Sequence, residues 1–133
     1  MWIYKRICTG LHTENTGNKP LINLGNSSIL AIGNQPLGQG WKIELGSPNF
    51  STTIDKSIIL KNETLTTSGN KRAKQRHIKH PITNQWITGI REVSVVTSTG
   101  KEGEALSTAL FVATEQERLK ILANFSFPYF IVK

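Results

Sequence analysis

The hydrophobic pattern of this chain changes period at residue 99, and that change requires a mixed architecture. Upstream, apolar residues come in short blocks, at 21–24 and 29–32 around Gly25-Asn26-Ser27-Ser28, and at 93–96. Trp41-Lys42-Ile43-Glu44-Leu45 alternates apolar with charged, as a strand with one wet face should. Downstream, Thr99 with Glu102 and Thr114 with Glu117 fit capping boxes, in which a hydroxyl and a carboxylate satisfy the first amides of a helix. Ala105, Leu106, Ala109, Leu110 and Ala113 lie on one helical stripe, and Leu119, Ile121 and Leu122 mark a second, shorter helix before a last apolar run at 127–132. Strands with hairpin-length connections, then two consecutive helices and a final strand, predict a single α+β domain over 1–133 with a mostly antiparallel sheet.

Residues 1–20 read as a charged start and a turn-rich loop. Residues 57–60 and 64–67 flank Lys61-Asn62-Glu63 as a second hairpin that delivers Ser68-Gly69 at a strand end. The β-branched run at 86–97 should form the longest strand.

With 133 residues the chain can bury roughly two thirds of its unfolded surface, and the apolar residues are blocked rather than scattered, which argues against disorder. A net charge of +7 favours anionic partners such as nucleotides, nucleic acid or an anionic lipid surface. The basic cluster between Lys71 and Lys79 lacks the interleaved aromatics of a base-stacking surface, so no nucleic-acid partner is expected. The single Cys8 excludes an internal disulfide, and a lipid attachment site is its nearest alternative to an inert thiol. The start is too short and too charged for a secretory signal, and no apolar run is long enough to span a membrane, so the expected location is cytoplasmic.

Three fragments carry candidate chemistry. Glu104 and Thr108 stand one helical turn apart, with Ser107 and Phe111, opposite the stripe centred on Ala105, Ala109 and Ala113. A carboxylate and a hydroxyl so placed suit magnesium or calcium, which take oxygen ligands, although an ordinary solvated helix face has the same pattern. His77-Ile78-Lys79-His80-Pro81-Ile82-Thr83 reads as a loop, because Pro81 keeps the preceding residue extended; its histidines could meet phosphate or stay solvated. A zinc site from His77, His80 and Glu104 has no supporting ligand spacing. Thr67-Ser68-Gly69-Asn70 offers hydroxyls and a close backbone approach, or a plain turn, and Gly25 and Gly33 share those two readings.

In order, these fragments resemble the C-terminal half of the FAD:protein FMN transferases, the ApbE family. Asn23-Leu24-Gly25-Asn26 is similar to the family's asparagine or aspartate before paired glycines, and Thr67-Ser68-Gly69-Asn70 to its Thr-Ser-Gly-Asp. His77-Ile78-Lys79-His80-Pro81-Ile82-Thr83-Asn84 resembles His-Ile-Ile-Asp-Pro-Arg-Thr-Gly, and 104–110 resembles Asp-Ala-Leu-Ala-Thr-Ala-Leu. The resemblance implies transfer of FMN from FAD to a threonine of a target protein, with Mg2+ as cofactor and AMP leaving. It implies Glu104 and Thr108 as metal ligands and His77 beside the reacting phosphate, with Asn23, Gly25, Thr67, Ser68, Gly69 and Thr83 near the nucleotide. Glu104 and His80 stand where the family has aspartate, Ile82 where it has arginine, and Asn26 and Asn84 where it has glycine. The family's N-terminal half has no counterpart in these residues, so a homo-oligomer or a partner chain is expected to supply it. A degenerate, non-catalytic module that binds flavin nucleotide or protein is the alternative.

Overall fold

The computed structural model describes residues 20–25, 27–35, 38–45, 56–89 and 91–132. Cys8, all but Pro20 of the stretch 1–20 expected as loop, and Asn26 lie outside them. The chain is α+β, as its change of period requires. Strands β1 (Leu21–Leu24), β2 (Ser28–Ala31), β5 (Glu63–Asn70), β6 (Arg91–Thr97) and β7 (Tyr129–Val132) form an antiparallel sheet in the order β1-β2-β5-β6-β7. Strands β3 (Trp41–Leu45) and β4 (Lys56–Leu60) form a separate antiparallel pair. Helices α1 (Gly100–Val112) and α2 (Glu115–Asn124) follow β6.

Two expectations about the strands are corrected. Residues 57–60 and 64–67 do not form a hairpin: β4 belongs to the small sheet, whereas β5 pairs with β2 and β6. The two-residue link Lys61-Asn62 therefore carries the chain between layers. Asn62 takes the left-handed conformation at φ 57°, and its Oδ1 accepts from the Gly33 amide at 2.9 Å, which ties the link to the loop after β2. The longest strand is β5, with 8 residues against 7 in β6, because residues 78–87 are drawn into a hairpin of their own.

Alternation along the central strands separates two cores. Ile29, Ala31, Leu65 and Val96 face one way and meet Ile43 and Leu60 of the β3–β4 layer. Val93 and Val95 face the other way and pack with Leu106, Leu110 and Phe111 of α1. Each such side chain is worth about 1.5–3 kcal/mol on full burial, so the second cluster decides which side of α1 meets the sheet.

That side is not the expected alanine stripe. Gly103, Leu106, Ser107, Leu110 and Phe111 are buried, while Ala105 and Ala109 are exposed. Alanine gains little by burial, so the leucines and Phe111 rotate the helix and take Ser107 inward with them.

The helix ends are satisfied in different ways. Thr99 caps α1 by accepting from the Glu102 amide at 3.3 Å, and Thr114 and Glu117 form the reciprocal box at the start of α2. At the end of α1, Arg118 Nε donates to the Leu110 carbonyl at 2.8 Å and the Arg91 guanidinium donates to the Phe111 carbonyl. Two cations drawn from other elements thus meet the negative end of the helix. Burial, and then the charge of Arg118, lower the Arg91 pKa.

Candidate functional site

The face of β5 beneath α1 is a stripe of polar residues. Thr64, Thr66, Ser68 and Asn70 are all buried there, where a central strand would ordinarily place Val, Ile or Leu. Small helix residues lie against the stripe: Gly103 against Thr66, and Ser107 with Thr108 against Ser68. A Cβ at Gly103 would stand 2.3 Å from Thr66 Oγ1 and 2.8 Å from Thr97 Oγ1, so the helix can approach this closely only because residue 103 has no side chain.

This approach assembles an oxygen-rich cluster. Ser68 Oγ lies 2.9 Å from Ser107 Oγ and 3.1 Å from Thr108 Oγ1. Ser28, opposite Thr66 in the β2–β5 register, shares the helix-facing side and donates to Glu104 Oε1 at 2.6 Å. Glu104 and Thr108 therefore flank the buried side of α1, with the carboxylate exposed and the hydroxyl half-buried. The donor set is one carboxylate and several hydroxyls, all oxygen. Among the described residues no three His, Cys, Asp or Glu side chains gather as a metal cage. Such a set fits a cation of the magnesium kind, held by one carboxylate, waters and the phosphates of a nucleotide.

Other expected residues are placed elsewhere. Thr67 points to the opposite side of the sheet, where its Oγ1 lies 2.8 Å from Ser94 Oγ. Asn23 pairs with Ile29 and so also shares that opposite side. Gly69 lies within β5, and a Cβ there would stand 2.7 Å from the Arg91 carbonyl oxygen, so this glycine serves the approach of β6. Gly25 opens the β1–β2 turn at φ +63°.

Ile78 to Thr83 belong to the hairpin of residues 78–87, and His77 immediately precedes it. Its arms are joined by Ile87 N to Ile78 O at 3.0 Å and His80 N to Gln85 O at 2.8 Å, and Lys79 Nζ sits 4.6 Å from the centre of the Trp86 ring. His77 is exposed, with Nδ1 3.2 Å from the Gln75 amide nitrogen. His80 shapes the tip: Nδ1 accepts from the amides of Ile82 at 3.2 Å and Thr83 at 3.3 Å. That nitrogen occupies the place in the side chain that an aspartate Oδ would occupy, bonded to Cγ. Asn84 adopts φ 55°, a conformation that asparagine tolerates better than most residues. Both residues thus supply turn chemistry of the kind that an aspartate and a glycine commonly provide.

Between this tip and the helices runs an open, mainly apolar cleft of about 550 Å³, with Thr108 in its wall beside Ile78, Pro81, Ile82, Val112 and Ile121. Lys79, Glu117 and Lys120 bring charge to it, and His80 a polar ring. The Glu117 carboxyl is held below its ordinary range by hydrogen bonds from the Thr114 backbone and hydroxyl, with smaller help from His80 and Lys120.

Two contributors escape the sequence reading, Ser28 and Gly103. Their signal lies in β5, where every second residue from Thr64 to Ser68 carries a hydroxyl. A strand patterned that way needs small or polar partners above it and beside it.

A model of the ApbE family matches residues 2–130. No curated protein sequence matches the chain. The crystal structure of Pseudomonas stutzeri flavinyl transferase ApbE in its apo form superposes with a TM-score of 0.63 at 23% identity, over 84% of this chain and 36% of that one. The chain thus spans about a third of the length of that structural neighbour. No helix among the described residues is long and apolar enough to cross a membrane.

Proposed function

The chain belongs to the ApbE family, and from that premise we propose that it carries the metal-and-phosphate half of a flavin-transfer site. The reaction is transfer of FMN from FAD to a threonine of a target protein. The threonine oxygen attacks the flavin-side phosphorus, the bond from that phosphorus to the bridging oxygen breaks, and AMP leaves. The hydroxyl proton passes to a base, and His77 is the candidate, as an exposed imidazole at the foot of the hairpin.

Glu104 and Thr108 would hold the divalent cation, which when bound neutralises charge on the diphosphate. Ser68 lies 3.1 Å from the Thr108 hydroxyl and orients it, and the cleft beside Thr108 gives a bound nucleotide or acceptor segment an apolar wall to lie against. The observation that carries this reading is the convergence of β2, β5 and α1 on one oxygen cluster at the edge of an open cleft.

A non-catalytic nucleotide- or protein-binding module is the second reading, favoured by the single carboxylate of the cluster. The test is transfer of flavin to a threonine peptide, read as flavin fluorescence on a denaturing gel, beside FAD affinity with Mg2+ and with chelator. Mg2+ is expected to tighten FAD binding, and Glu104→Gln to abolish that gain. Equal affinity with Mg2+ and with chelator refutes the metal assignment, and Mg2+-dependent binding without transfer selects the second reading.

A further inference from the structure

Glu104 carries one methylene more than aspartate, and an exposed glutamate on a helix has three side-chain torsions through which its carboxylate can wander. In this fold it is tethered. Ser28, at the start of β2, donates to Oε1 at 2.6 Å, across 76 positions of sequence and from a different layer of the domain. The distance is that of a strong hydroxyl-to-carboxylate bond. Ser28 is also well fixed: its strand pairs with both β1 and β5, and it sits opposite the fully buried Thr66.

We infer that Ser28 is a positioning residue for Glu104: it anchors Oε1 and so limits where the rest of the carboxylate, as ligand to a divalent cation, can stand. The inference rests on the metal reading above and adds a residue to it. An untethered glutamate would have to freeze its rotamers each time the cation bound; the serine does this in advance. It also explains how the longer acid serves here. An aspartate at 104 would withdraw its carboxylate by about 1.5 Å, beyond the reach of Ser28.

The experiment measures FAD affinity by calorimetry with Mg2+ and with chelator, in the wild type, Ser28→Ala, Ser28→Thr, Glu104→Asp and the double variant Ser28→Ala/Glu104→Asp. Loss of a partner that orients a ligand typically weakens metal binding about 10- to 100-fold, and the exposure of Glu104 points to the lower end. Ser28→Ala should therefore reduce the Mg2+-dependent gain about tenfold without changing FAD affinity in chelator. Ser28→Thr, which keeps the hydroxyl, should retain the gain. In the Glu104→Asp background Ser28→Ala should have no further effect, because the bond it removes is already absent. A merely structural role would lower thermal stability yet leave the Mg2+ increment intact. If the wild type has an increment and Ser28→Ala keeps it, the positioning role is refuted while the metal site stands. If the wild type has none, both fall.

Discussion

Gly103→Ala tests the packing on which the site depends. The added methyl would stand 2.3 Å from Thr66 Oγ1, 2.8 Å from Thr97 Oγ1 and 2.9 Å from Thr66 Cβ. Neither threonine can swing clear easily: Thr66 is fully buried, and Thr97 Oγ1 donates at 2.8 Å to the carbonyl of Thr99, the cap of α1. Overpacking of this kind costs about 1–3 kcal/mol. Loss of the Thr97 bond adds about 1 kcal/mol, and the better helix propensity of alanine returns about 1 kcal/mol. The net is a destabilisation of about 2 kcal/mol, or roughly 6–10 °C in melting temperature for a chain of this length. Circular dichroism during urea and thermal unfolding would measure it. Thr66→Ala should rescue the variant in part, since it removes the nearest clashing atom while Thr97 Oγ1 and the Cβ of residue 66 remain, and Thr66 Oγ1 has no hydrogen-bond partner among the described residues. The double variant should exceed the sum of the single changes by about 1 kcal/mol or more. Additive effects, or a Gly103→Ala protein as stable as the wild type, would refute the close approach of α1 to β5.

His80→Asp should preserve the hairpin tip, whereas His80→Ala should release the Ile82 and Thr83 amides and speed their hydrogen exchange about fivefold, the equivalent of about 1 kcal/mol for two long, exposed bonds; equal exchange in both variants would refute the acceptor role of Nδ1. Burial, partly offset by the charge of Lys71, pushes the Glu92 carboxyl up. A folded value above the unfolded one means that the native state binds more protons between the two, so stability is lost as pH rises through that window. Glu92→Gln should therefore be more stable than the wild type at neutral pH, with the advantage shrinking towards about pH 4, near the ordinary carboxylate value; an advantage independent of pH in urea titrations would refute the burial argument.

Local signals in the sequence specify the elements, and non-local ones specify how they meet. The change of period at Thr99 and the paired caps of Thr99 and Thr114 place both helices, because hydroxyl and amide lie within one turn of each other. The separation of β4 from β5 is not legible in the same way. A two-residue link between apolar runs has the length of a hairpin whether the strands pair or part, and the difference depends on the bond from Gly33 to Asn62, 29 residues away. The rotation of α1 is hidden for a related reason: its alanines and leucines form one continuous apolar arc, and only the valines of β6 decide which part of that arc is covered. The one-turn spacing of Glu104 and Thr108 is legible in the sequence, whereas the bond from Ser28 to Glu104 is not, since nothing in the pairing of residues 28 and 104 is local.

The hydroxyls beneath α1 tie stability to function. Thr64 and Thr66 bury hydroxyl oxygens that have no partner among the described residues, and an unmet buried polar group costs about 1–3 kcal/mol. A sheet built for stability alone would present aliphatic side chains there, as β6 does with Val93 and Val95 under the same helix. Part of that cost falls where Gly100 and Gly103 of α1 pass over Thr64 and Thr66, and Asn70 Oδ1 at the far end of the stripe is likewise without a partner among the described residues. Between Thr66 and Asn70, Ser68 uses the same face of β5 to hold Ser107 and Thr108, and one strand across, Ser28 holds Glu104. A valine-lined β5 would bind α1 more tightly but would leave Thr108 without its partner. Departures from a pattern of local rules concentrate where a site is built. By that argument Glu104 should not be judged alone against an aspartate: the longer acid, the serine that tethers it and the glycine that lets its helix settle form one unit, and exchanging any one of them singly disturbs the other two.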